Sequence, residues 1–310
     1  FRSQVCYLFI LQVKIERFLK QLHSSFQHLR RFVDRNILIL NKTNFKPLYN
    51  TLDHKMILGD REIPLRIFYP RKDRSSKVLL FFHGGGWVAG NIDTYTKFCL
   101  DMVEQTKHTV VAVNYRLAPE NPFPAGLEDC YYVTSVLLNN PCLVDCELKD
   151  ITLIGDSAGG NLAAAVSQLL RDRRETMPCK QILLYPATNF DHSEESKFKS
   201  VSENGTGYIL TSKRIQTYMD MYVQNEEDKL CPYVAPILAS DLSNQPKTLI
   251  ITAEYDPLRD EGEAYGHRLK EFNNDVTIYR MMDSLHGFMS LGLKSKAVKK
   301  CYELINDFLR

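Results

Sequence analysis

The sequence contains no hydrophobic run long enough to cross a membrane. The uninterrupted apolar run Val5–Leu11 falls far short of the roughly 20 residues that a transmembrane helix needs. Internal repeats, low-complexity tracts and long linkers are missing too. We therefore expect a protein without a membrane span, and we expect a cytoplasmic location.

An excess of charge of one sign is also missing. The 39 Lys and Arg residues nearly balance the 37 Asp and Glu residues, which leaves a formal net charge of +2. Outside the N-terminal segment, Lys and Arg are not concentrated into a stripe. Because nucleic-acid binding depends on such a basic surface, we expect no nucleic-acid partner.

Metal-binding patterns are absent from the sequence as well. It has no His-Glu-x-x-His run and no close group of Cys and His residues, so we expect no metal and no cofactor. The eight cysteines are scattered, and several lie in apolar segments, which favours buried free thiols in a reducing compartment. Glycosylation sequons at Asn41 and Asn204 favour a lumenal location instead, but three-residue matches arise easily by chance.

The N-terminal segment carries an amphipathic pattern. From Ile15 to Val33, apolar residues recur at intervals of three and four, with Lys and Arg between them. This pattern predicts a helix packed on the protein itself, in preference to a helix on a membrane surface. The chain begins at Phe1 instead of Met, so we expect further residues before it.

The segment Ile151–Gly160 places a serine between two glycines, where an apolar strand-like run meets a helix-prone run. Ser157 completes the pattern Gly-x-Ser-x-Gly, which is typical of a nucleophile at a sharp turn from strand to helix. Such a turn strains the serine backbone and leaves no room for side chains where strand and helix approach. Ser157 is therefore a candidate nucleophile, although ordinary glycine-rich turns also match the pattern.

A second glycine-rich turn follows the predicted strand Val78–Phe82. Its sequence is His83-Gly84-Gly85-Gly86-Trp87. Without Cβ atoms in the way, backbone N–H groups can point at a substrate, as an oxyanion hole requires. We expect the N–H groups of Gly85, Gly86 and Ala158 to form this hole, while Gly84 shapes the turn. A flexible turn is the alternative.

A serine nucleophile needs a base and an acid, and the C-terminal third supplies both. The predicted strand Thr248–Ala253 leads into a loop with Asp256, which is our candidate acid. The predicted strand Val276–Met281 is followed by His286, which is our candidate base. Asp260 is a second choice for the acid.

Structural roles explain the remaining acidic and histidine residues near these positions. Asp260 and Glu261 suit the N-cap and first turn of a helix that runs to Phe272. His267 lies inside that predicted helix, away from any strand end. His83 lies in the glycine turn, where we expect it to form hydrogen bonds that brace the loop.

The order of the three candidates along the chain separates two kinds of serine hydrolase. Chymotrypsin-like proteases also carry a Gly-Asp-Ser-Gly-Gly element, but their order is His, Asp, Ser on an all-β fold. Here Ser157 precedes Asp256 and His286, in a chain that alternates strands with helices. That order is the one found in α/β-hydrolases.

Taken together, these motifs make the sequence resemble the hormone-sensitive-lipase-type branch of the α/β-hydrolases, which includes bacterial carboxylesterases and arylacetamide deacetylases. The residues that carry the resemblance are His83–Trp87, Asn114–Glu120, Phe123–Ala125, Gly155–Gly160, Asp256–Glu261 and His286–Phe288. The resemblance implies an α/β-hydrolase fold, in which a mostly parallel central sheet has helices on both faces and a helical cap. It also implies ester hydrolysis through an acyl-enzyme on Ser157, with Asp256 and His286 completing the triad. No long N-terminal anchor of the deacetylase type is expected.

We predict one catalytic core with a cap inserted into it. Residues 51–188 and 226–310 are expected to form the core, and residues 1–50 and 189–225 the cap, where the alternation of strands and helices breaks. The cap is expected to close a pocket for the acyl or alcohol part of the substrate. Candidate wall residues are Trp87, Tyr208 and Phe288.

The predicted function is that of a serine carboxylesterase acting on small-molecule esters with short- to medium-length acyl chains. An arylacetamide-type amidase or deacetylase is the nearest alternative, because the same site can attack an amide. A peptidase is disfavoured, since the chain has no room for the large domain that screens peptides. A non-catalytic small-molecule receptor, such as the plant gibberellin receptors, would lack the histidine found here at His286. The natural ester and a homodimer are left open.

Overall fold

The computed structural model describes residues 50–70 and 77–310. Within them, an eight-stranded sheet has the order β1-β2-β4-β3-β5-β6-β7-β8. The strands are β1 (Asn50–Leu58), β2 (Arg61–Tyr69), β3 (Val78–Phe82), β4 (Thr109–Val113), β5 (Ile151–Asp156), β6 (Lys180–Leu184), β7 (Lys247–Tyr255) and β8 (Val276–Leu285). Strands β3 to β8 run parallel, and β1 and β2 form an antiparallel extension at one end.

Seven α-helices accompany the sheet in the described part of the chain. They are α1 (Thr96–Thr106), α2 (Ala125–Asn139), α3 (Ala158–Asp172), α4 (Lys199–Glu203), α5 (Ser212–Tyr222), α6 (Arg259–Glu271) and α7 (Lys296–Leu309). Most follow a strand and return the chain to the start of the next parallel strand, which is how parallel sheets are connected.

The side chains of the central strands divide between two apolar layers, one on each face of the sheet. In β3, Leu80 and Phe82 join the layer beneath α2, α3 and α6, whereas Leu79 and Phe81 join the layer beneath α1 and α7. Alternation of this kind follows from the two-residue period of a strand. All five residues of β3 are buried, as expected for a parallel strand covered by helices on both faces. The predicted α/β-hydrolase fold is confirmed.

The carboxyl ends of the parallel strands meet at one edge of the sheet, and there the candidate residues collect. Strand β8 is longer than the sequence predicted, because it continues past Met281 to Leu285. An irregular register near Ala253 lets Tyr255 of β7 pair with Leu285 of β8. The residue after each of these two strands is therefore brought to the same edge.

Residues 189–225 form an excursion above that edge, with helices α4 and α5. Helix α5 begins after Thr211, whose hydroxyl oxygen accepts a hydrogen bond from the backbone N–H of Arg214. Four residues that recur at helical spacing on one face of α5 are buried. They are Ile215, Tyr218, Met219 and Tyr222. The other predicted cap piece, residues 1–50, lies outside the described residues except for the start of β1, and the division into core and cap stays a prediction.

Seven of the cysteines lie within the described residues, and all seven are free thiols. Cys99, Cys130 and Cys301 are buried in the apolar layers. Among the described residues, no group of His, Cys, Asp and Glu side chains is arranged to hold a metal ion. The described helices include none with the length and apolar character that crossing a membrane requires.

Candidate active site

Ser157 lies at a strained turn between β5 and α3. Its φ of 55° and ψ of −119° are unfavourable for a residue with a side chain. A Cβ on Gly159 would overlap the carbonyl group of Phe82, and a Cβ on Gly155 would overlap the carbonyl group of Gly159. Both flanking glycines are therefore required by the close approach of strand and helix, as the sequence pattern indicated.

His286 stands between Ser157 and Asp256. Its Nε2 lies 2.9 Å from Oγ of Ser157, and its Nδ1 lies 2.7 Å from Oδ2 of Asp256. The hydroxyl donates to Nε2, and the protonated Nδ1 donates to the carboxylate. The ring of Tyr185 packs edge-on against the imidazole, with 5.0 Å between the centroids. The sequence-predicted nucleophile, base and acid are thus brought together in the order that proton transfer needs.

Asp256 is completely buried, and its second carboxylate oxygen is also engaged. Oδ1 accepts a hydrogen bond of 2.9 Å from the backbone N–H of Leu258. Asp260, the second choice for the acid, instead accepts from the backbone N–H of Ser200 and from Nε of Arg259, each at 2.8 Å. The acid at the imidazole is therefore Asp256.

The glycine turn after β3 offers backbone N–H groups beside the serine. Gly85 has φ +115° and Gly86 has φ +62°, a region in which residues with side chains are strained. None of the described residues accepts a hydrogen bond from the N–H of Gly85, Gly86 or Ala158. Gly85, Gly86 and Ala158 all line the cavity that contains Ser157. Three donors are therefore left for a ligand.

Asp156 holds the glycine turn by accepting a hydrogen bond from it, a role that was not predicted from the sequence. Its Oδ1 accepts from the backbone N–H of Gly84 at 2.8 Å, and its Oδ2 accepts from the hydroxyl of Tyr95 at 3.2 Å. Burial raises the pKa of this carboxyl to about 6, although the donors at Gly84 and Tyr95 and the nearby His286 oppose that change. The available signal was a carboxylate at the end of an otherwise apolar strand.

His83 is held inside the same loop and lies apart from the triad. Its Nδ1 lies 2.8 Å from the carbonyl oxygen of Gly84, and its ring stacks on Tyr115 at 4.3 Å. The hydroxyl of Tyr115 donates to the carbonyl oxygen of His83. Burial lowers the pKa of His83 to about 4, so its ring is neutral at physiological pH. These contacts hold the His83 ring against the glycine turn.

A cavity of about 720 Å³ opens above Ser157. Its walls are largely apolar and come from the glycine turn, from residues 208–218 and from the end of β8 with the segment after it. Trp87, Tyr208 and Phe288, the three expected wall residues, all line it. Further lining residues from the cap and the C-terminal segment are Leu210, Ile215, Tyr218, Leu285 and Leu291. Sequence reasoning could not place these, because side-chain direction in the cap depends on tertiary packing.

Comparison with known proteins agrees with this geometry. The family described as "alpha/beta hydrolase fold" matches residues 79–290. This chain belongs to that family. The α/β-hydrolase is 35% identical over 275 residues to an arylesterase of Saccharolobus solfataricus, with 88% of each chain covered. It is 30% identical to an ethyl acetate hydrolase of Pseudomonas putida, with 85% of this chain and 82% of the relative covered.

Solved structures give the same result. A hyperthermophilic esterase from Pyrobaculum calidifontis superposes on the α/β-hydrolase with a TM-score of 0.85 and 34% identity, over 95% of this chain and 96% of the other. The resemblance stated from sequence motifs is thereby confirmed.

A buried ion pair of the α/β-hydrolase lies apart from its triad. Glu261 was expected in the first turn of a helix, and it does lie in α6, but its side chain points inward. It accepts from the N–H groups of Thr188 and Asn189 and lies 2.8 Å from Nε2 of His192. Although burial alone lowers the pKa of His192, the adjacent Glu261 carboxylate outweighs that effect and raises it. The pair fastens α6 to the segment that follows β6.

Proposed function

We propose that this chain is a serine carboxylesterase in which Ser157 is the nucleophile, His286 the general base and acid, and Asp256 the residue that orients His286. The observation that carries the proposal is the continuous hydrogen-bonded chain from Ser157 through His286 to Asp256, at 2.9 and 2.7 Å. Relatives named for carboxylic ester hydrolysis support the same class. The chain is a carboxylic ester hydrolase, as its sequence predicted.

The first half of the reaction acylates the enzyme. Nε2 of His286 takes the proton of Ser157 as Oγ attacks the ester carbonyl carbon. The carbonyl oxygen becomes an oxyanion that accepts hydrogen bonds from the N–H groups of Gly85, Gly86 and Ala158. Each such donor contributes about 3 kcal/mol to transition-state stabilisation. The imidazolium then donates its proton to the departing alcohol. The acyl group stays bound to Oγ of Ser157.

The second half releases the acid. His286 now takes a proton from a water molecule, whose oxygen attacks the acyl carbon, and a second oxyanion forms in the same hole. Its collapse breaks the bond to Oγ, which recovers the proton from His286. Asp256 stays ionised and holds the ring in the tautomer whose Nε2 is free to accept. Only a neutral imidazole can accept the proton of Ser157 or of the attacking water.

The cavity supports small esters with short- to medium-length acyl chains. Its volume of about 720 Å³ falls in the range of about 300–1,000 Å³ that is usual for small-molecule sites. Apolar walls suit an acyl chain or an aryl group, and two relatives are named for aryl esters and ethyl acetate. Esters are preferred over amides in this proposal, because the relatives are named for esters.

We propose that the enzyme acts in the cytoplasm, which is a reducing compartment of the kind that its cysteines indicate. Free thiols at Cys99, Cys130 and Cys301, buried in the apolar layers, suit such a compartment. Cell fractionation of the full protein tests this. Light scattering on the purified enzyme decides whether it forms the homodimer that the sequence left open.

Hydrolysis of p-nitrophenyl esters from acetyl to long acyl chains tests the proposal. Wild type and Ser157→Ala are compared at each chain length, and both are exposed to a fluorophosphonate that labels activated serines. We expect turnover and labelling in the wild type and neither in the variant. A folded wild type that is neither labelled nor active would refute the function, and turnover of the anilide above that of the matching phenyl ester would favour the amidase.

A further inference from the structure

The short cap helix α4 lies directly on the loop that carries Asp256. Ser200 of this helix is completely buried, whereas Ser202, on the same helix, is exposed. A buried hydroxyl is costly unless it is hydrogen-bonded, so the partners of Ser200 indicate what its burial achieves.

Ser200 makes one hydrogen bond to the loop and two to Asp260 in the first turn of α6. Its Oγ donates to the carbonyl oxygen of Pro257 at 2.8 Å and accepts from the backbone N–H of Asp260 at 3.1 Å. Its backbone N–H donates to Oδ2 of Asp260 at 2.8 Å. Pro257 directly follows Asp256, so one serine fixes the peptide groups on the C-terminal side of the acid.

Asn204 fixes the other side. It follows α4, is 4% exposed, and its Nδ2 donates to the carbonyl oxygens of Glu254 and Asp256, both at 3.3 Å. The amide nitrogen that a glycan would need is therefore buried and engaged with the acid loop. The sequon at Asn204 is better explained by this structural contact than by glycosylation.

An ion pair also links α4 to the segment around Asp256. Nη2 of Arg259 lies 2.8 Å from Oε2 of Glu203 in α4, and its Nη1 donates to the carbonyl oxygen of Glu254 at 3.1 Å. The cap thus contacts the loop on both sides of Asp256. Asp256, Pro257 and Leu258 separate β7 from α6, so contacts with these residues act on the short segment that carries the acid.

We propose that Ser200 and Asn204 are positioning residues that hold Asp256 in line with His286, so that the cap helix controls the geometry of the triad. The inference rests on the proposed roles of Asp256 and His286. Displacement of reacting groups by about 1 Å can cost about 100-fold in rate. Contacts that end on the peptide groups of Asp256 and Pro257 restrict such a displacement.

The test compares Ser200→Ala with Ser202→Ala in the full chain, on p-nitrophenyl butyrate. Ser202 is the matched control, because its hydroxyl donates only to Lys199 in its own helix. We expect Ser200→Ala to lower kcat about 10- to 100-fold with KM nearly unchanged. The acid limb of its pH–kcat profile should move to lower pH, because a poorly placed carboxylate stabilises the imidazolium less.

Asn204→Ala provides a second, independent variant should Ser200→Ala fail to fold, and Ser200→Thr, which keeps the hydroxyl, should recover kcat. Circular dichroism checks the fold of each. Either alanine variant that loses thermal stability but keeps the wild-type kcat and pH profile would overturn the inference, since its contacts would then be structural only. A wild type that fails fluorophosphonate labelling would instead refute the proposed function.

Discussion

The ring of Tyr218 in α5 lies against the α-carbon of Gly86 in the glycine turn, so that a methyl group on Gly86 would overlap it. A residue of α5 thus packs against a glycine whose N–H group is a proposed oxyanion-hole donor. The position of the Gly86 N–H group therefore depends on both Gly86 and Tyr218. Substitutions at these two residues test the proposed role of the glycine turn.

Gly86→Ala should inactivate the enzyme without unfolding it. The added methyl group both strains a backbone with φ +62° and collides with Tyr218, which displaces the N–H donor. We expect kcat to fall about 10²- to 10³-fold, the cost of losing one such donor. Steady-state kinetics on p-nitrophenyl butyrate measures it.

Two further variants show whether the collision matters. Gly59→Ala has a similar φ of +64° but open space around the new methyl group, so its kcat should stay near wild type. Gly86→Ala combined with Tyr218→Ala relieves the overlap and should regain part of the lost kcat. If the double variant recovers no kcat, the loss in Gly86→Ala comes from backbone strain alone.

Asp256→Asn should lower kcat by about 10⁴-fold. The amide cannot accept from Nδ1 of His286 in the manner of a carboxylate, so the ring loses the tautomer that presents Nε2 as acceptor to Ser157. Single-turnover kinetics with p-nitrophenyl acetate detects the slow acylation. Asp307→Asn, an exposed change in α7, is the control and should behave as wild type. Activity near that of the control would remove Asp256 from the triad.

The buried carboxyl of Asp156 should make stability depend on pH. Its pKa is raised from 3.8 to about 6, so the folded state binds a proton between these values that the unfolded state does not. The free energy of unfolding should therefore fall as pH rises from about 4 to about 6, by about 3 kcal/mol at about 1.4 kcal/mol per pKa unit.

Asp156→Asn removes that contribution and keeps an oxygen to accept from Gly84. Urea unfolding at pH 4.5 and pH 7 measures it. The variant should gain stability relative to wild type at pH 7 and lose that gain toward pH 4. A difference that does not change with pH would contradict the effect of burial on Asp156.

His192→Ala should destabilise the fold by about 3–5 kcal/mol, because it leaves the buried Glu261 carboxylate without its cationic partner. Since the pKa of His192 is raised, its contribution is complete below the unfolded pKa near 6.5 and is lost as pH rises through the higher folded value. Thermal unfolding from pH 6 to pH 9 should show that the melting temperatures of wild type and His192→Ala converge as pH rises. His267→Ala, on the exposed side of α6, is the control.

The features of the proposed site that can be recognised in the sequence are those encoded locally. Ser157 is recognisable because the strained turn imposes glycines two residues away on each side, and no distant residue is needed to see that. The α/β-hydrolase fold was implied by the resemblance of the motifs, and the alternation of strands and helices agreed with it. His286 was placed at a strand end, although β8 proved longer than its apolar run suggested.

Other features depend on contacts between segments far apart in sequence. Asp156 and Gly84 are bonded across 72 positions, and Asn204 and Asp256 across 52, with no local pattern to mark either pair. The inward turn of Glu261 likewise requires His192, in a different segment. A helix-capping explanation was adequate locally for Glu261 and missed its tertiary role.

The order of the strands has a consequence for when activity appears. The proposed nucleophile follows β5, whereas the proposed base follows β8, which ends the strand order of the described sheet and is the last of its strands along the chain. A nascent or proteolysed chain that lacks β8 carries a complete nucleophile turn and no base. Hydrolytic activity therefore requires that β8 has paired with β7, and its recovery during refolding should not precede that pairing.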